Sequence, residues 1–148
     1  MHATQIGLRV AQITTPEARI AVITAGAIPY FANRYTIDML GKNDAIISRG
    51  PMHIKYNLDA LMYDYRPGHN KWDPAYSIGE LQPDLIAQSM AGAFDEAAAP
   101  YLSNKYSQVF IDGNAFYLRK NSPNILWEVV AEVQDAKASP PAEATEEE

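Results

Sequence analysis

Two short stretches concentrate the side chains that could do chemistry. The first is Ile37-Asp38-Met39-Leu40-Gly41-Lys42-Asn43-Asp44, which puts two carboxylates and an amine around a turn. Lys42, together with backbone amides at the start of a following helix, would attract an anion such as a phosphate, or hold a sugar. The plainer alternative is a capped turn, with Asp44 as the helix N-cap and Lys42 in solvent. The second is Tyr65-Arg66-Pro67-Gly68-His69-Asn70-Lys71-Trp72-Asp73, dense in aromatic and hydrogen-bonding groups. Sugars have apolar faces and hydroxyl edges, so a site combining Trp72 with Asn70, Lys71 and Asp73 suits them. His69 could serve as a general acid or base with Asp38 or Asp73 as its carboxylate partner. Alternatively, Trp72 pins the loop to the core and Asp73 caps the next element. His69 and Asp73 make a poor metal site, because Lys71 lies between them and no third ligand is indicated. No metal and no cofactor is expected.

The familiar signatures are missing. The chain lacks Gly-x-Gly-x-x-Gly, a P-loop around Gly41-Lys42, Gly-x-Ser-x-Gly and His-Glu-x-x-His. With no cysteine, a thiolate nucleophile, a thiolate metal site and a disulfide framework are excluded.

The elements that must position these clusters read as α/β. Ile6, Val10 and Ile13 fall at helical spacing in a helix over 5–13 that ends before Pro16. Arg19–Thr24 is a continuous β-branched run, as in a strand buried on both faces, and Gly26 and Pro29 break it. Tyr35–Asp38 is a second strand, followed by a helix from Asp44 to about Arg49. Asn57–Leu61 reads as one helical turn within an ambiguous stretch, and 65–77 as a long loop of the kind that carries function. A short helix starts near Ser77, a buried strand spans Pro83–Gln88, and Asp95–Lys105 is an Ala-rich helix. Asp112-Gly113-Asn114 between two apolar strands predicts a β-hairpin, with Asp112 serving its turn. Ser122-Pro123 matches a helix start, with Ser122 as cap. The expectation is a three-layer-like α/β sheet, parallel at its centre, with an edge hairpin and short flanking helices. Ligands then gather beyond the carboxyl ends of the strands, at 25–33, 39–44 and 89–92, where Tyr30 and Phe31 either join the crevice or serve as core aromatics.

With 148 residues, 47% hydrophobic and 20% charged, the chain suits one domain over residues 1–135. Residues 136–148 lack large apolar side chains and read as a disordered acidic tail, and the stretch 135–148 carries −4 of the −6 net charge. No basic cluster suggests nucleic acid. The longest uncharged run, 20–33, is too short and too broken to span a membrane, and no signal peptide is visible.

The order of Ala18–Phe31, Ile37–Asp44, Pro67–Asp73 and Tyr76–Asp84 resembles the C-terminal soluble region of bacterial multi-spanning GT-C-class glycosyltransferases. That group includes arabinofuranosyl- and mannosyltransferase-like members that use polyprenyl-phosphate-linked sugars. The resemblance covers roughly 5–126, and its most specific part is Gly68-His69-Asn70-Lys71-Trp72-Asp73. It implies a cell-envelope domain on the extracytoplasmic side that binds a sugar, a polyprenyl-phosphate sugar or a glycan acceptor, beside a membrane-embedded catalytic portion. The resemblance implies that the catalytic acidic residue of that class lies in an early extracytoplasmic loop of the membrane-spanning portion, so no catalytic role carries over. A free-standing version of this chain would instead be cytoplasmic. The alternatives are a self-contained sugar-active transferase or hydrolase using His69, and a structural docking module without a ligand.

Overall fold

A computed structural model describes residues 2–54, 65–90 and 92–135. The expected turn at 57–61 and the acidic tail lie outside them. Helix α1 (Ala3–Ile13) leads to strand β1 (Arg19–Val22), helix α2 (Ala27–Ala32), strand β2 (Tyr35–Asp38) and helix α3 (Ala45–Arg49). Helix α4 (Ala75–Glu80), wound as a π-helix, precedes strand β3 (Leu85–Ile86), helix α5 (Ala93–Leu102), strands β4 (Tyr106–Ile111) and β5 (Asn114–Arg119), and helix α6 (Trp127–Asp135).

The sheet order is β2-β1-β3-β5-β4. Strand β1 pairs in parallel with β2 and β3, while β5 runs antiparallel to β3 and β4. The centre is therefore parallel and the hairpin forms one edge, as the sequence predicts. Successive residues of β1 face opposite sides of a pleated strand. Ile20 and Val22 pack with Ile6, Val10 and Ile13 of α1, Ile28 of α2 and Val130 of α6. Ala21 packs on the other face with Ile37, Ile78, Phe94 and Ala98. Two buried faces explain why β1 reads as an unbroken apolar run. Among the described residues no helix is long and apolar enough to cross a membrane.

Local differences from the sequence reading have physical reasons. Strand β1 ends at Val22, before Gly26 and Pro29, and Pro29 then sits in the first turn of α2, where its missing N–H is not needed. The loop after Tyr65 ends early, since α4 begins at Ala75 with Asp73 Oδ1 accepting from the Tyr76 N–H at 3.0 Å. Strand β3 spans two residues rather than six. Ser122 does not cap a helix: its hydroxyl is spent on Asp84 at 2.7 Å and on the Asn124 N–H at 3.1 Å, and α6 starts only at Trp127. The hairpin turn is Asp112-Gly113, both at positive φ (52° and 76°), the left-handed pair that a two-residue turn demands. Asp112 also accepts from Arg9 Nε and Nη2 at 2.9 and 2.6 Å, which ties the hairpin to α1.

Candidate anion-binding site

At the carboxyl end of β2 the chain must turn sharply into α3. Asp38, buried, folds its carboxylate back onto that turn: Oδ1 accepts from the Leu40 N–H at 3.0 Å and Oδ2 from the Asn43 N–H at 2.6 Å. Gly41 follows at φ +67°, and a Cβ there would stand 2.7 Å from the Ser48 backbone nitrogen. Asp44 caps α3 as predicted, with Oδ1 accepting from the Ile46 and Ile47 N–H groups at 2.9 and 3.0 Å. The result is a rigid turn that leaves Lys42 pointing outward.

The loop 65–71 is closed by its own bonds. The Arg66 N–H donates to Asn70 Oδ1 at 2.6 Å and the His69 N–H donates to the Arg66 carbonyl at 2.9 Å. Gly68 adopts φ +73°, and a Cβ on it would lie 3.3 Å from Cε of Lys42, so the lysine stem runs across the bare glycine backbone. Lys71 Nζ donates to the Ser48 carbonyl at 2.6 Å and fastens the loop to the end of α3.

The turn and the loop thus enclose one cavity of about 260 Å³. Leu40, Met52 and Tyr65 form its apolar part, and Lys42, Arg66, Asn70 and Lys71 its polar part. No described residue lining it is acidic. Among the described residues, the Lys42 amine and the Arg66 guanidinium make no hydrogen bond or ion pair. Among the described residues, two unpaired cations and a third anchored beside them give this wall its positive charge.

The predicted site residues therefore divide. Lys42, Asn70 and Lys71 line this cavity. Asp38 and Asp44 shape the turn behind it. Trp72 and Asp73 line a neighbouring groove, and Trp72 also packs into the core against Phe94. His69 lines neither; its Nδ1 meets the Pro67 carbonyl at 3.0 Å, with neither Asp38 nor Asp73 bonded to it. Tyr30 stands on α2, 80% exposed, packed edge-on against Phe31, and lines neither. Of the three strand ends expected to gather ligand, only 39–44 lines the cavity. Arg66, Met52 and the glycine at 68 complete the cavity wall, a role that sequence reasoning does not single out. For Arg66 and Gly68 the signal is the Pro/Gly-rich loop itself, which places an arginine two residues before a positive-φ glycine, whereas Met52 lies outside that loop.

The sequence model of a protein family described as Domain of unknown function (DUF8728) matches residues 1–139. The chain belongs to that family. The match takes in every element from α1 to α6 and both segments that enclose the cavity. It ends before Glu143 and the terminal Glu146–Glu148. No curated protein and no solved structure matches the chain.

Gly41→Ala tests how tightly the turn is built. The variant must either strain a left-handed φ or push the end of α3 away. It is expected to lose about 2 kcal/mol of stability, measured by urea denaturation.

Proposed function

We propose that this domain binds the phosphate of a phosphate-linked sugar, as the water-exposed accessory part of a membrane glycosyltransferase on the extracytoplasmic side. One observation carries the reading: Lys42 and Arg66, both unpaired among the described residues, face one cavity with Lys71 at the carboxyl end of the parallel strands. Charge-assisted hydrogen bonds to phosphate are among the strongest polar contacts, and an arginine fork matches two phosphate oxygens at once. Leu40, Met52 and Tyr65 offer apolar surface beside the cations. That suits an apolar chain attached to the phosphate. The resemblance of 37–44 and 68–73 to the soluble region of GT-C enzymes supports the same reading, since both stretches contribute to the cavity. Binding is proposed without turnover because His69 lines neither hollow and neither Asp38 nor Asp73 bonds to it, so no acid–base pair faces the cavity among the described residues. The glycosyl transfer itself is assigned to a membrane-embedded partner portion.

Calorimetry with geranyl phosphate, inorganic phosphate and geraniol tests this. Geranyl phosphate is expected to bind most tightly, inorganic phosphate more weakly and geraniol not at all. Added salt should weaken both phosphates through screening. Absence of heat with both phosphates at millimolar concentration would overturn the proposal.

A further inference from the structure

The wall that closes the cationic cavity has a second side. The segments 50–53 and 70–72 run together, joined by the His53 N–H to the Asn70 carbonyl at 2.7 Å and by His53 Nε2 against the Trp72 carbonyl at 2.9 Å. Met52, Asn70 and Lys71 turn toward the cavity already described, whereas Pro51, His53 and Trp72 turn to a separate groove of about 230 Å³, together with Ile46 and Asp73.

The two hollows sort their charges. The cavity holds three cations and, among the described residues, no carboxylate; the groove holds Asp73 and, among the described residues, no lysine or arginine. An anion is therefore disfavoured in the groove. Asp73 uses Oδ1 for the Tyr76 N–H, and as an exposed carboxylate it has further acceptor capacity for a hydroxyl. The His53 imidazole stacks on the Trp72 indole with ring centroids 3.7 Å apart and planes 13° from parallel. Phe94 meets the same indole edge-on at 5.6 Å. Trp72 is thus fixed between neighbours, and the exposed imidazole is the flat surface beside the apolar edges of Ile46 and Pro51. A flat ring, apolar edges and one acceptor are what a sugar with C–H faces and hydroxyl edges requires. The volume lies below the 300–1,000 Å³ or so of pockets for drug-sized ligands, which limits the occupant to about one ring.

We infer that this groove is a subsite for one neutral sugar ring, separate from the phosphate cavity, with His53 as platform and Asp73 as hydroxyl acceptor. The inference rests on the reading of the domain as a sugar-phosphate binder for its class of ligand, but not for its location.

Amide and indole NMR of the full chain, titrated separately with methyl mannopyranoside, methyl arabinofuranoside, choline and inorganic phosphate, tests it. At least one glycoside is expected to give saturable shifts at Gly50, His53, Asp73 and the Trp72 indole. Gly41, Lys42 and Gly68 should stay still. His53→Ala is expected to weaken that binding about tenfold. Asp73→Asn should weaken it too, with α4 intact, since asparagine also caps helices. Shifts from phosphate alone, at 41–42 and 66–71, would overturn the sugar subsite while sparing the phosphate reading. Glycoside shifts alone would do the reverse. A response to choline with none to either glycoside would make the groove a cation site and overturn the inference.

Discussion

Replacing Asp84 with alanine is expected to lower the unfolding free energy by about 3 kcal/mol, the largest loss from any single polar side chain in this fold. Asp84 is 1% exposed at the amino end of β3. It accepts from the Arg19 N–H at 2.9 Å, the Ser122 hydroxyl at 2.7 Å, Asn124 Nδ2 at 3.1 Å and the Arg119 guanidinium. Removing it leaves one buried and three part-buried donors without this acceptor and unties β1, β5 and the 122–124 turn at once. Burial acts to raise its pKa, but the donors from Arg19, Ser122, Asn124 and Arg119 outweigh it and hold the carboxyl below the ordinary 3.8. A depressed folded pKa means that the stabilisation is complete above 3.8 and is lost as the pH falls through the folded value. Urea unfolding should therefore show the parent protein weakening below that pH. Asp84→Asn, which removes the titration, should lie well below the parent at neutral pH and converge on it in acid.

The second large effect is on binding. Lys42→Ala and Arg66→Ala are each expected to weaken phosphate binding by about tenfold or more, from the loss of one charge-assisted bond, and the double variant should abolish it at millimolar ligand. Both side chains are exposed and unpaired among the described residues. Their removal should change stability by less than about 0.5 kcal/mol. Lys71→Ala differs in kind, since Lys71 Nζ also anchors the loop to Ser48. It should lose affinity and some stability together. Calorimetry and urea denaturation on these four variants separate the outcomes.

Much of the scaffold is written in local sequence. The double-faced burial of β1, the Asp44 cap and the Asp112-Gly113 turn are each set by residues within a few positions of one another, so their pattern is visible along the chain itself. Asp84 is different: its partners lie 65, 35, 38 and 40 residues away, and nothing in Pro83-Asp84-Leu85 marks it as the knot of three elements. Ser122 is misread for the same reason, because a distant carboxylate claims the hydroxyl that a cap would use. Within the site, Lys42 and Asn70–Lys71 are legible as polar residues in turn-rich stretches. That they meet depends on Gly68 offering no side chain to Lys42, and that Trp72 and Asp73 face a different hollow depends on pairing with His53, 19 residues earlier. Adjacency in sequence points to a single crevice; the paired segments 50–53 and 70–72 divide it in two.

Lys42, Arg66 and Lys71 are proposed to form a phosphate site. Titrating the uniformly labelled chain with inorganic phosphate at constant ionic strength, with amide shifts followed by NMR, tests it most directly. Saturable shifts confined to 41–42 and 66–71 are expected, and they should vanish in the Lys42→Ala, Arg66→Ala double variant. Shifts that do not saturate, or that persist unchanged in the double variant, would contradict it.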